Sequence, residues 1–160
     1  ISDFDVIEPG NLNRQYFFIN QLGMFKTTAL KDTIARINPD TIVIAHTGRL
    51  HRENITEIFA GCDVIVEAFD SDEMKEMLAE IIQTKMPEIP LIIGSGLAGW
   101  GNTESLRCRK IDDTLYVCGD ETTETTPDNP ALAPGVSIVA NMQADKVIEI
   151  LMKKSSEISI

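Results

Sequence analysis

Apolar residues at Met74, Met77, Leu78, Ile81 and Ile82, spaced by three and four, predict an amphipathic helix that ends before Pro87. A second stripe, Met24, Ala29, Leu30, Ile34 and Ile37, predicts a helix over 24–37. Asn38-Pro39 closes it, because proline drives the residue before it out of the helical region. Between these stripes the period shortens. Thr41-Ile42-Val43-Ile44-Ala45 is a β-rich run, residues 54–60 form a short helix stopped by Gly61, and Val64–Phe69 is a strand apolar enough to be buried on both faces. Leu91-Ile92-Ile93 supplies the next strand. Residues 1–7 have the character of a strand end, broken by the polar turn Glu8-Pro9-Gly10-Asn11. This alternation implies a parallel sheet with crossover helices.

Beyond Gly94 the pattern changes. Residues 103–111 and 114–117 are strand-like with no helix between them, joined through Asp112-Asp113, which predicts an antiparallel pair. Residues 119–134 form a Thr-, Asp- and Pro-rich loop; at about 16 residues it exceeds an ordinary connection, which favours a binding or lid segment. Residues 136–152, with Ile138, Val139, Met142, Val147, Ile150 and Leu151, form a closing helix. No repeat is visible. The expectation is one α/β domain over 1–160.

Composition narrows the functional classes. With 14 Lys and Arg against 25 Asp and Glu, a net charge of -11 argues against a surface for nucleic acid. The apolar runs are too short to span a bilayer and no secretory leader is present, so the expectation is a cytoplasmic protein that does not engage a membrane. Cys62, Cys108 and Cys118 lack C-x-x-C spacing, so neither a disulfide framework nor structural zinc is expected. The chain begins with Ile rather than Met, which suggests upstream residues or processing.

Several side chains offer chemistry. Asp3 and Asp5, at the end of the first strand, occupy the place where an acid accepts hydrogen bonds from ribose hydroxyls; the alternative is a solvated strand end. Arg14 and Lys26 can neutralise phosphate charge, or Arg14 can pair with Glu8 while Lys26 is a solvated helix residue. Asp70 follows an apolar strand, where a lone carboxylate suits magnesium beside phosphate oxygens. Asp70-Ser71-Asp72-Glu73 equally has capping-box spacing. Gly94-Ser95-Gly96-Leu97-Ala98-Gly99 matches G-x-G-x-x-G, but Trp100-Gly101-Asn102 does not open a helix, so the hexapeptide is expected to be a flexible or closely packed turn. Cys118 ends a strand with no basic neighbour in sequence, which favours an inert thiol over one that transfers an acyl or sulfur group.

The string Asn11-Leu12-Asn13-Arg14-Gln15, followed by Gly23-Met24-Phe25-Lys26 and later by Asp70, resembles the nucleotide site of the ThiF/HesA/MoeB family, adenylyltransferases related to ubiquitin-activating enzymes. The segments Gly94–Gly99 and Leu115–Asp120 resemble its short thiamine-biosynthesis ThiF subgroup. The resemblance implies a Rossmann-like three-layer α/β fold, mostly parallel with an antiparallel C-terminal extension, lacking at its front the family's first strand, phosphate loop and first helix. It implies ATP contacts from Asp3, Asp5, Asn11, Arg14, Gln15 and Lys26, a magnesium ion on Asp70, and catalytic roles for Arg14, Lys26 and Asp70. The implied reaction is adenylation of the C-terminal Gly-Gly carboxylate of a ubiquitin-like sulfur-carrier protein by a homodimer. Without the phosphate loop this chain alone is expected to be inactive. Competing readings are a non-catalytic scaffold for a ubiquitin-like protein and an NAD(P) oxidoreductase built on Gly94–Gly99.

Overall fold

A computed structural model describes residues 1–158, and the chain divides into two compact units, Ile1–Asn54 and the remainder from Ile55. In the first unit, residues 1–7 and the β-rich run at 41–45 form no extended strands. They meet only at their ends, where the Ile1 amino group donates to Ile44 O at 2.9 Å, His46 N to Ile1 O at 2.8 Å and Asp3 N to His46 O at 3.2 Å. Ile42 and Ile44 are left 89% and 80% exposed, because β propensity alone builds no strand without a continuous ladder. Short 3₁₀ turns at Pro9–Asn11 and Ile19–Gln21 precede helix α1, Lys26–Ile37. The helix starts at Lys26 rather than Met24 because the preceding residues pair elsewhere: Ile7 N donates to Met24 O, Gly23 N to Ile7 O, and Val6 bridges Phe25. Ile7, Ala29 and Leu50 are its buried apolar residues, beside Gln21, whose amide spans Ala29 O and Thr33 Oγ1.

The second unit opens with the single turn α2, Ile55–Ile58, then β1, Ile65–Glu67, α3, Asp72–Lys85, β2, Leu91–Gly94, β3, Arg107–Lys110, β4, Leu115–Gly119, and α4, Ala133–Ile158. The sheet order is β1-β2-β4-β3, parallel throughout except that β3 runs against β4. Strand alternation places Glu67 and Ile65 on one face and Ile92 and Cys118 on the other. Lys75 of α3 reaches Glu67, while Val139 of α4 packs with Ile92 and Cys118, so the helices cover opposite faces and make the expected three layers.

Three local expectations are corrected. The strand drawn over 64–69 contracts to Ile65–Glu67 and is not apolar on both faces: Val66 is 45% exposed, and the inward position after Ile65 is the carboxylate of Glu67. Residues 103–105 form a 3₁₀ turn instead of entering the antiparallel strand. Helix α4 begins three residues earlier than its apolar stripe, taking in Pro134, which a first helical turn accommodates because its amide needs no partner there.

The long segment after Gly119 is strapped onto residues 95–99. Asp120 N donates to Gly96 O at 3.0 Å, Glu121 N to Ser95 O at 3.2 Å and Gly99 N to Pro130 O at 3.0 Å, and Ala98 bridges Ala131. Gly96 and Gly99 adopt φ of 68° and 78°; a Cβ on Gly96 would stand 2.5 Å from Glu121 N, and one on Gly99 would overlap the Asn129 carboxamide. The glycines of the G-x-G-x-x-G string therefore admit the strap, as a closely packed turn requires, and no helix begins in them.

Candidate functional site

In the first unit, the short antiparallel pairing of residues 5–7 with 23–26 brings the two most widely separated site candidates together. Lys26 N donates to Asp5 O, and Lys26 Nζ lies 2.8 Å from Asp5 Oδ2 and 4.0 Å from Asp3 Oδ2. The lysine side chain is 13% exposed, against 47% and 37% for the two carboxylates, so the cation is the enclosed member of the trio. Asp3 Oδ1 also accepts the Asp5 amide at 2.8 Å, which fixes the turn between them. The solvated-helix reading of Lys26 is thereby corrected: its ammonium is held by Asp5 of the N-terminal segment. Such a compact charge on a flexible stem can exchange a carboxylate for a phosphate oxygen.

Asn11, Arg14 and Gln15 form a second cluster on the 3₁₀ turn. Asn11 Oδ1 accepts the Glu8 amide at 2.9 Å, and Asn11 O accepts the amides of Arg14 and Gln15 at 3.1 and 2.9 Å. Arg14 Nη1 donates to Gly10 O at 3.0 Å and to Asn13 Oδ1 at 2.8 Å, both neutral oxygens, where a pairing with Glu8 was the plainer expectation. Gln15 Oε1 and Ser2 Oγ are buried without a hydrogen-bond partner. Buried polar atoms left in this state are costly, and a ligand removes that cost only by donating to Gln15 Oε1, which a hydroxyl or amino group of a nucleotide can do and a phosphate oxygen cannot. Arg49, which sequence reasoning passed over, lies with its guanidinium 5.1 Å from the Phe4 ring centroid.

In the second unit, Asp70 is exposed at the carboxyl end of β1. The capping-box alternative is corrected, because the N-cap of α3 is Ser71, whose Oγ accepts Met74 N at 3.4 Å. Asp70 is free of capping work and presents hard oxygens, a donor type that suits magnesium.

The same strand end carries an ion pair that the sequence reading missed. Lys75 Nζ bonds both Glu67 oxygens, at 2.9 and 3.0 Å, and Gly94 O at 2.9 Å, and the Phe69 amide donates to Glu67 Oε1. Burial pushes the Glu67 carboxyl above the usual range, with Lys75 and the Phe69 and Gly94 amides pulling it back. An acid inside an apolar strand, with a lysine one turn into the next helix, was the available signal. Gln143 of α4 seals the other side, donating to Glu67 O at 3.0 Å.

Cys118 is fully buried, and burial, with the neighbouring Cys108 thiol, pushes it up to about 12 against the opposing charge of Lys146. It lacks the accessible thiolate that a transfer role needs.

A mostly parallel sheet of this order with helices on both faces defines the Rossmann-like α/β class. The ThiF family profile matches residues 1–159, and the chain belongs to that family. It is similar to the adenylyltransferase and sulfurtransferase UBA4 of Scheffersomyces stipitis, with 25% identity over 158 residues, which are 94% of this chain and 35% of that protein. It is also similar to the molybdopterin-synthase adenylyltransferase of Salmonella typhimurium, with 25% identity over 154 residues, covering 93% of this chain and 61% of that one. The chain thus spans between about a third and three fifths of the length of these relatives. Among solved structures, E. coli tRNA N6-threonylcarbamoyladenosine dehydratase, TcdA, in complex with ATP, superposes with a TM-score of 0.85 at 16% identity, covering 98% of this chain and 76% of that one, a likeness of fold. Among the described residues no helix is long and apolar enough to cross a membrane.

Proposed function

We propose that this chain serves in ATP-dependent adenylation of the C-terminal glycine carboxylate of a ubiquitin-like sulfur-carrier protein, acting as one adenylyltransferase domain over 1–160 in a cytoplasmic homodimer. The observation that carries the reading is the enclosed Lys26, held by Asp5 and Asp3 within a chain of the ThiF family. Relatives named as adenylyltransferases support it. Thiamine thiazole biosynthesis is the context proposed for the carrier, on the resemblance of Leu115–Asp120 to the short ThiF subgroup.

In this reading the carrier carboxylate attacks the α-phosphorus of ATP and pyrophosphate departs. Lys26 and Arg14 neutralise charge growing on the phosphoryl oxygens and the leaving group, where fixed cations lower the barrier. Asn11 orients the phosphates, Gln15 offers its free Oε1 to a donor of the nucleotide, and Asp3 and Asp5 accept hydrogen bonds from ribose hydroxyls and keep Lys26 aimed. Asp70 would hold magnesium, which would supply positive charge to the reaction when bound.

The test is ATP–pyrophosphate exchange in the presence of a carrier protein ending in Gly-Gly, measured on this chain and on the polypeptide its gene encodes in full. Exchange is expected in the full polypeptide and to fall by a factor on the order of a hundred in Lys26→Met and in Asp70→Asn. Asp70→Asn should unfold within about 1 kcal/mol of the unsubstituted protein, since Ser71 caps α3. Carrier-independent exchange, or undiminished exchange in both variants, would refute the assignment.

A further inference from the structure

We infer that Cys108 and Cys118 are a paired, oxidisable dithiol that closes into a cross-strand disulfide between β3 and β4, with a peroxide as the class of oxidant. The two residues are direct partners in the antiparallel register, and both are free thiols in this structure. Which kind of partner they are follows from the ladder. Ile111 N donates to Leu115 O at 2.8 Å, marking 111 and 115 as a hydrogen-bonded pair, so alternation makes 109 with 117 hydrogen-bonded and 108 with 118 non-hydrogen-bonded. The other edge of β4 agrees. The Cys118 carbonyl accepts Ser95 N at 2.9 Å, and the Thr114 carbonyl, four residues earlier, accepts Leu91 N at 2.8 Å; both point toward β2 and away from β3.

Non-hydrogen-bonded pairs are the close ones, with Cα atoms about 4.5 Å apart and side chains on the same face. That separation lies inside the window of about 4.4 to 6.8 Å that a disulfide spans, at its compact end. The bond can therefore form without moving a strand.

The two thiols are also unequal. Cys118 is fully buried under α4 with Ile92 and Val139, while Cys108 is partly exposed on the edge strand and is the one an oxidant reaches. Oxidation runs in two balanced steps. The Cys108 sulfur takes one oxygen from hydrogen peroxide, giving the sulfenic acid and one water. The Cys118 sulfur then attacks the Cys108 sulfur, its proton leaves with the sulfenic hydroxyl as a second water, and the S–S bond forms. Cys62, in the segment between α2 and β1, has no place in this register.

Peptide mapping after mild hydrogen peroxide treatment of the native chain, with alkylation of remaining thiols and cleavage after Lys110, tests the pairing. The expected product links the Cys108 and Cys118 peptides with loss of two hydrogen atoms, leaves Cys62 alkylated, and reverts with dithiothreitol without denaturant. In Cys118→Ala the Cys108 sulfenic acid should persist and be trapped by dimedone. In Cys108→Ser, a near-isosteric change at a partly buried edge-strand position, Cys118 should stay reduced and be alkylated only after unfolding. Links involving Cys62, or Cys108 advancing to sulfinic acid in the unsubstituted protein with no linked peptide, would overturn the proposal.

Discussion

Gly119→Ala is expected to cost at least about 3 kcal/mol or to prevent folding of the second unit. Gly119 combines two constraints. Its φ of 139° is one that residues with a Cβ rarely adopt, and an added Cβ would fall inside the carbonyl oxygen of Ser95, 2.6 Å from Ser95 C and 3.1 Å from Gly96 O. The obstacle is backbone, and it cannot retreat, because Ser95 N is tied to Cys118 O and Ser95 O receives the Glu121 amide. Moving Ser95 would break the join between β2 and β4 where the strap begins. Gly10→Ala is the matched control, with nothing within 4 Å of the added carbon, and should shift stability by less than about 0.5 kcal/mol. Urea unfolding followed by circular dichroism reads both, and equal midpoints for the two variants would show that the strap junction can relax.

How much of this was legible beforehand divides along physical lines. Helix α3, strands β2 and β4 and the β3–β4 hairpin follow from short-range periodicity, and α1 missed only its first two residues, taken by pairing with the segment around Ile7. The strand-like run at 41–45 was read from propensity and failed, since pairing partners, and not side-chain type, decide whether a ladder extends. At the site, the string around Asn11 and Arg14 and the lysine at 26 were legible as a pattern, while the closure of Lys26 on Asp5 needed the backbone pairing that three dimensions supply. Asp70 and Ser71 were confused because a capping box shifted by one residue fits the same sequence. The register of Cys108 with Cys118 was not legible, because a two-residue turn at Asp112-Asp113 would set Cys108 opposite Val117, whereas the observed three-residue loop 112–114 sets Ile111 opposite Leu115 and Cys108 opposite Cys118.

Removing the ammonium at position 75 should be costly, with Lys75→Met losing about 3 to 5 kcal/mol near neutral pH. Glu67 has a side chain with no exposure and Lys75 one with 19%, so deletion of the lysine leaves a buried carboxylate held only by backbone amides. Its escape is to take up a proton, which gives the loss a pH dependence of defined sign. Burial already places the native pKa of Glu67 above its unfolded value, so its contribution is fully present below the unfolded carboxylate range and is lost as pH rises through the raised value. Without Lys75 that value climbs further and the window of lost stability widens upward. The deficit of the variant should therefore be small near pH 4, where Glu67 is protonated in both proteins, and grow toward neutrality. Glu67→Gln combined with Lys75→Met keeps an acceptor for the Phe69 amide and removes the charge, and should recover at least about 2 kcal/mol relative to Lys75→Met alone. Denaturant unfolding of the three proteins at several pH values settles the matter. A deficit that stays constant with pH, or a double variant no better than the single one, would mean that Lys75 acts through packing of its stem and its bond to the Gly94 carbonyl, and that the charge on Glu67 is of little consequence.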